Sequence, residues 1–367
     1  MSTVLKENYL NKWIWIELIG FDNQKPDFGV GDYISRCGFL PDGFVLLLYW
    51  TGFVVDHQGL DLEYELSPAE ASYGAHEYSP ERRRQTWTNL QLKRLIDTMH
   101  SYGCKVYLSF FNMCSYYNDV GELIEHEFYK DKNYLMETVR NAVRHGTISM
   151  LKRLPDGSFF EDFLQEKTVK ALADYGFDGL QIADGISSPR IALQEGDYSD
   201  EIIDQFLEYS NIRLPDKLEA LCDDNKELMN LRSDFIWQEH RLEWLKFHTF
   251  RWEQFFTKFI SRLENLGKEA IFNSAWTRDP FEAIYRYGVD YRKIGKTGIK
   301  GCMVEDVSAG LAILSSHDNA YLMDDEQRKK IHYEFLTALM LNRAAMPEIK
   351  IIPLAGIHDT MEQWGGA

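Results

Sequence analysis

Acidic side chains close two short apolar stretches that have the composition of buried strands. Asp184 follows Gly179–Ala183, and Glu305 and Asp306 end the stretch that begins at Gly301. Two carboxyl groups flanking one bond, one ionised and one protonated, are the groups that hydrolyse a glycosidic bond. Asp184 is therefore the predicted nucleophile, and Glu305 or Asp306 is the predicted acid/base. Adjacent strand residues point to opposite faces, so only one of these two points into a barrel.

Polar and aromatic side chains occupy the other predicted strand ends. They are Tyr49, Trp50, Asn112, Gln181, Asn273, Trp276 and Arg278. Amide and guanidinium groups hydrogen-bond to hydroxyls, and aromatic rings stack on the C–H faces of a sugar. These residues are the predicted substrate contacts, and the predicted partner is a carbohydrate.

One repeated unit positions these residues: a helix ends at a glycine, the chain turns, and a buried strand follows. KALADYGFDGLQIAD shows the unit around Gly176, and further copies surround Gly38, Gly103, Gly267 and Gly298. The predicted strands are 13–19, 44–49, 105–111, 179–183, 269–275, 301–305 and 349–354. Strands that alternate with helices form parallel sheets, and this number favours a (β/α)8 barrel with its site at the carboxyl ends of the strands. No GxGxxG fingerprint follows the first strand, which argues against a nucleotide-binding sheet.

The 367 residues contain no linker rich in Pro, Gly and Ser, so we expect a single catalytic domain, 1–367. A long loop, 51–88, follows strand two, and a charged insertion predicted to be helical follows strand three. A long helical region after strand four extends to about residue 266, and its aromatic residues at three- and four-residue spacing predict a buried stripe. An eighth strand is not evident. Either 311–314 supplies it, or the barrel is incomplete.

Composition excludes several classes of partner. The net charge of -17 argues against nucleic acid, whose phosphates need clustered Lys and Arg. No apolar run is long enough to span a membrane. The five cysteines lack CxxC spacing, which, without a signal peptide, predicts reduced thiols and a cytoplasmic protein, or a secreted one if a signal peptide has been removed.

Metal and cofactor chemistry is not expected. His57, His100, His240 and His248 are scattered rather than paired, so no metal site is predicted, and no cofactor is predicted either. A lyase or aldolase with a Schiff base needs a lysine at a strand end. Lys105, Lys268 and Lys350 fall at strand beginnings, the face that serves stability in barrels.

Three stretches, LADYGFDGLQIAD, FLEYSNIRLP and RLEWLKFHTFRW, resemble those of (β/α)8 glycoside hydrolases. In the retaining α-galactosidase and α-glucosidase barrels the aspartate after strand four attacks the anomeric carbon, which implies that role for Asp184. The stretch SSHDN resembles the His-Asp-Asn segment of α-amylase-type barrels, which implies that His317 and Asp318 bind substrate or stabilise the transition state. Amylase-like barrels carry Arg where this chain has Ile182, and Glu where it has Asn273.

Two functions of different kinds are compatible with these features. The first is a retaining glycoside hydrolase or transglycosylase that acts on an oligosaccharide or glycoconjugate. The second is a carbohydrate-binding or scaffold barrel without catalysis. The separation of the two carboxyl groups distinguishes them, since about 5–5.5 Å implies retention, about 6.5–9.5 Å implies inversion, and a wider gap favours binding alone.

Overall fold

A computed structural model of the chain describes residues 12–67, 85–117, 122–140, 143–183, 185–221, 223, 225–274, 279–306 and 325–355. Its strands are β1 (Trp13–Glu17), β2 (Gly43–Leu47), β3 (Lys105–Phe110), β4 (Ser115–Tyr117), β5 (Leu123–Glu125), β6 (Met136–Val139), β7 (Val143–Ile148), β8 (Gly179–Ile182), β9 (Glu269–Asn273), β10 (Gly301–Asp306) and β11 (Lys350–Ala355). Seven of them form one parallel sheet in the order β1-β2-β3-β8-β9-β10-β11. Each of the seven strands predicted from the sequence corresponds to one of these, and a parallel α/β sheet of the barrel type is confirmed.

The sheet has two apolar faces, as expected for strands buried on both sides. Alternate residues such as Phe44, Leu46 and Ile182 pack in the large core between sheet and helices. The residues between them form a smaller cluster on the other face, the barrel interior: Val45, Tyr107, Ile271 and Met303, with Trp13, Trp15, Ile352 and Leu354 packed against them. Because side chains alternate along a strand, membership of one cluster or the other tells which way each strand residue points.

Helices cover the outer face of the sheet. They are α1 (Val30–Cys37), α2 (Gly52–Val55), α3 (Asn89–Ser101), α4 (Phe160–Tyr175), α5 (Asp200–Ser210), α6 (Lys226–Glu239), α7 (Arg241–Asn265), α8 (Pro280–Tyr287), α9 (Tyr291–Ile294) and α10 (Asp325–Ala345). Helix α4 ends as the sequence predicts, at Gly176 with φ +78°, whose N–H bonds to the carbonyls of Leu172 and Ala173. A left-handed residue of this kind satisfies the last carbonyls of a helix before the chain turns into β8.

Helix α7 confirms the predicted aromatic stripe. Trp244, Phe247, Phe255 and Phe259 are each at most 1% exposed and pack in the large core. Arg251 on the same helix is also buried, and its guanidinium lies 2.9 Å from the carboxylate of Glu161 on α4. This ion pair joins α7 to α4. Removing one partner of a buried ion pair typically costs about 3–5 kcal/mol of stability.

The insertion after β3 differs from the sequence prediction of a helical segment. Its described part contains two antiparallel hairpins, β4–β5 and β6–β7, before α4 begins at Phe160. The prediction of helix was wrong because charged residues occur on exposed strands as well as on exposed helices. Short runs with β-branched and aromatic residues, such as Tyr116–Tyr117 and Thr147–Ile148, instead favour strands.

Two expectations fall partly or wholly outside the described residues. Of the loop after β2, the described part contains α2 and an isolated bridge between Glu65 and Thr88. Residues 311–314, the suggested eighth strand, lie outside the described ranges. Among the residues that are described, no helix is both long and apolar enough to cross a membrane.

Candidate active site

The parallel direction of the seven strands brings their carboxyl ends to one edge of the sheet, the mouth of the barrel. The last residues of the strands are Glu17, Leu47, Phe110, Ile182, Asn273, Asp306 and Ala355. The described residues among the predicted site positions lie at or within three residues of this edge, with Gln181 and Glu305 each one residue before a strand end. The mouth is therefore the surface on which a site can be built.

Glu305 points into the barrel. Cys302 and Val304 pack in the large core beside the helices, and Met303 packs in the interior cluster. Alternation then directs Glu305 to the same face as Met303. Its partner in register on β11 is Leu354, which also packs against the interior cluster. The backbone of Asp306 ends β10, and its side chain lies outside the described part of the structure.

Glu17 is an interior carboxylate that the sequence interpretation missed. It alternates with Trp13 and Trp15, both packed against the interior cluster, and it is 4% exposed. The predicted first strand continued to residue 19, which concealed Glu17 as a strand end. In the structure β1 ends at Glu17 and a single 3₁₀ turn, Leu18–Gly20, follows. In the sequence WIWIE the side chains point alternately to the two faces of the strand, and this alternation identifies Glu17 as an interior residue.

Gln181 also faces the interior, between Leu180 and Ile182 of the large core. It is fully buried, and its Oε1 accepts a hydrogen bond from Ser109 on the neighbouring β3. Its Nε2 donates 3.3 Å to the carbonyl of Ile182. Gln181 thus forms a polar layer with Ser109 just inside the mouth.

Asn273 ends β9 in register with Met303, so it lies on the interior face next to β10. It is 7% exposed. The following residue, Ser274, continues the pairing through a backbone hydrogen bond of 3.0 Å to Met303. Asn273 and Glu305 therefore lie on the same side of adjacent strands at the mouth.

The two aromatic residues after β2 are covered by neighbouring loops. Tyr49 is fully buried and packs edge-on against Phe111, with ring centroids 6.2 Å apart. Trp50 is 3% exposed and packs edge-on against His126, with centroids 4.8 Å apart. The imidazole of His126 is held in turn by Asp56 at 2.8 Å. Tyr49 and Trp50 thus form part of the wall of the mouth.

Asn112, two residues after β3, is fully buried at the rim. Gly185, immediately after position 184, adopts φ +74°, and a Cβ built on it would lie 1.8 Å from the Oδ1 of Asn112. The loop that follows β8 therefore approaches the end of β3 as closely as glycine permits. The remaining predicted site residues, Asp184, Trp276, Arg278, His317 and Asp318, lie outside the described ranges.

A second polar feature adjoins the rim. Glu137 on β6 is 3% exposed, and burial raises the pKa of its carboxyl to about 7, opposed by the hydrogen bond from Thr147. At the opposite end of the interior, Tyr107 donates to Glu269, a bond that lowers the pKa of Glu269. Among the described residues, no group of three or more His, Cys, Asp or Glu could hold a metal ion.

Comparison with known proteins places the fold. No protein-family model and no curated protein sequence matches the chain. The glycoside hydrolase domain of PgaB (BpsB) from Bordetella bronchiseptica matches with a TM-score of 0.50 and 12% identity over 94% of both chains. An Anoxybacillus α-amylase matches with a TM-score of 0.42 and 14% identity, over 94% of this chain and 70% of the amylase. A β-galactosidase from Marinomonas ef1 matches with a TM-score of 0.43 and 11% identity, over 87% of this chain, which spans 43% of that protein.

At sequence identities this low, structural similarity shows a shared fold alone. The PgaB domain, matched over nearly the whole of both chains, carries that conclusion. The chain is accordingly similar in fold to that glycoside hydrolase domain. The resemblance inferred from the sequence is confirmed at the level of architecture.

Proposed function

We propose that this protein is a glycosidase, or a transglycosylase with the same first step, which acts on an O-glycosidic bond of an oligosaccharide or glycoconjugate. The observation that carries the proposal is the interior orientation of Glu305 at the mouth of a barrel similar in fold to a glycoside hydrolase domain. A carboxylate at that place serves the chemistry of the site, because the apolar interior cluster beneath it gains nothing from a charge.

The other polar side chains on the interior face at the mouth suit a sugar. Glu17, Gln181 and Asn273 bring carboxylate and amide groups to the interior face of three other strands. Such groups donate to and accept from hydroxyls, which is what a carbohydrate presents. Trp276, Arg278, His317 and Asp318 remain predicted contacts, together with Tyr49, Trp50 and Asn112 at the wall and rim.

The proposed mechanism is retaining. Asp184 attacks the anomeric carbon while Glu305 donates a proton to the leaving oxygen, which gives a covalent glycosyl-enzyme. Glu305 then removes a proton from water, which attacks the same carbon and releases the sugar. The alternation along β10 favours Glu305 over Asp306 for this role. Glu17 supplies a third carboxylate that can stabilise positive charge developing on the sugar ring.

We further propose that residues 1–367 form one catalytic domain that works in the cytoplasm. The support for this compartment is chemical. Cys37, Cys104, Cys114 and Cys302 are free thiols in the described residues, and cytoplasmic proteins keep their cysteines reduced.

Hydrolysis of a panel of aryl glycosides tests the proposal. The wild type should cleave at least one substrate, and Asp184→Ala should lower kcat at least about 10³-fold, since it removes the nucleophile. The control is Asp174→Ala, which removes a carboxylate that pairs with His57 and Lys170 on the helix side. The contrary result is a wild type that cleaves no substrate but binds sugars, with an affinity that Asp184→Ala leaves unchanged. That result would favour the non-catalytic binding barrel.

A further inference from the structure

Asn112 at the rim is committed to protein partners at both ends of its carboxamide. Its Nδ2 donates 2.9 Å to the carbonyl of Ile148 on β7, and its Oδ1 accepts 2.8 Å from the Nε of Arg190. The backbone of Ile148 also donates 3.0 Å to the carbonyl of Asn112. A residue bonded in this way links the end of β3 to the β6–β7 hairpin and to the loop after β8.

Arg190 lies near the middle of that loop, which ends where α5 begins at Asp200. Its guanidinium carbon lies 5.5 Å from the centre of the Phe111 ring, a distance suited to a cation–π contact. Its backbone N–H donates 3.2 Å to Oε1 of Glu137. Both the side chain and the main chain of Arg190 are thus fixed, one by the end of β3 and one by β6.

Glu137 completes the connection to the hairpin. Its Oε2 accepts 2.6 Å from the hydroxyl of Thr147 on the paired strand β7. The same hairpin holds the later part of the loop, because the N–H of Thr138 donates 3.1 Å to Asp197 and Val139 bridges to Gly196. Asp197 is paired in turn with the buried ammonium of Lys152 at 3.1 Å.

We propose that Arg190 is a positioning residue which, held by Asn112 and Glu137, fixes the loop 185–190 against the end of β3. This proposal rests on the proposed function, since the loop begins directly after the predicted nucleophile at position 184. Gly185 at one end of the loop touches Asn112, and Arg190 at the other end bonds to the same side chain. Both ends of the segment 185–190 therefore contact the same carboxamide, that of Asn112. These contacts fix the position of the segment relative to the end of β3.

The planar geometry of arginine is essential to this role. The Nε–H donates sideways to Asn112 while the guanidinium plane lies over Phe111, and a lysine offers only a terminal ammonium. Arg190→Lys therefore keeps the positive charge and loses the fixed geometry. A small displacement of a catalytic group can cost about 10²-fold in rate.

Hydrogen exchange and steady-state kinetics of Arg190→Lys, on the full chain, test the proposal together. We expect faster exchange of amides 185–190 and a fall in kcat of about 10–100-fold, with KM changed less than about threefold. The matched control is Arg153→Lys, because Arg153 is also partly buried but pairs with Glu201 and Glu208 on α5. Arg190→Gln serves as a second variant if the lysine variant does not fold.

The two readouts separate the possible failures. Unchanged exchange in 185–190 would overturn the anchoring role, and faster exchange with unchanged kcat would overturn the positioning role. A wild type that cleaves no glycoside rejects the proposed function and the catalytic consequence with it. The exchange comparison still decides, in that case, whether Arg190 anchors the loop.

Discussion

The side chain of Asn112 occupies the space that a Cβ at position 185 would need, with Oδ1 only 1.8 Å from that point. Gly185 also has φ +74°, in the left-handed region of backbone conformation that residues other than glycine rarely adopt. The end of β3 and the loop after β8 are therefore in direct contact, and that contact requires glycine.

We predict that Gly185→Ala destabilises the protein by more than the backbone conformation alone explains. The matched control is Gly176→Ala, because Gly176 has φ +78° and the nearest atom to its Cβ position is the Lys93 Nζ at 3.8 Å. Gly176→Ala should cost about 1–2 kcal/mol of unfolding free energy, the penalty of the left-handed conformation. Gly185→Ala should cost clearly more in the same urea titration, and equal losses would contradict the contact with Asn112.

The buried carboxyl of Glu137 should lower the free energy of unfolding as the pH rises. Burial raises its pKa to about 7, above the ordinary value of 4.5, so the folded state binds the proton more tightly than the unfolded state. Its contribution is fully present below pH 4.5 and is lost as the pH rises through 7, a change of about 3 kcal/mol. Urea unfolding from pH 4.5 to 8 should show this decline in the wild type relative to Glu137→Gln. Parallel curves for the two proteins would contradict it.

The buried imidazole of His248 should have the opposite effect and lower the free energy of unfolding as the pH falls. It is 4% exposed between the rings of Trp244 and Phe247, and burial lowers its pKa from 6.5 to about 3, with Arg251 adding to the shift. The neutral imidazole is favoured in the folded state, so stability is present above pH 6.5 and is lost as the pH falls toward 3. The loss approaches about 1.4 kcal/mol per pH unit within that window.

His248→Met should flatten this acid limb of the stability curve, and His332→Met on the exposed surface of α10 should leave it unchanged. The measurement is the free energy of unfolding between pH 4 and 7. An acid limb of equal slope in the wild type and His248→Met would refute the assignment. Glu137 acts in an overlapping pH range with the opposite sign, so each variant is compared with the wild type at the same pH.

Much of the barrel could be predicted from the sequence because its signals are local. Each helix-glycine-strand unit is read within about fifteen residues, and all seven strands agree with the structure in existence and direction. The errors arose where local patterns conflict. The apolar run after Trp15 hid the end of β1 at Glu17, and the charges around the β6–β7 hairpin outweighed its β-branched residues.

The site was less accessible to the same reasoning because it depends on packing across distance. Glu305 and Asp306 are neighbours in the sequence, and only the packing of Cys302, Met303 and Val304 into separate cores shows which face Glu305 occupies. The bond from Arg190 to Asn112 joins residues 78 positions apart, and no periodicity within either segment indicates it.

The most direct test of the central claim compares Glu305→Gln with Asp306→Asn on two aryl glycosides, one with an activated and one with a poor leaving group. If Glu305 is the acid/base, Glu305→Gln should lower kcat/KM by about 10²–10⁴-fold for the poor leaving group and far less for the activated one. Asp306→Asn should lack this dependence on the leaving group. The reverse pattern, or no dependence in either variant, would contradict the role of the interior carboxylate.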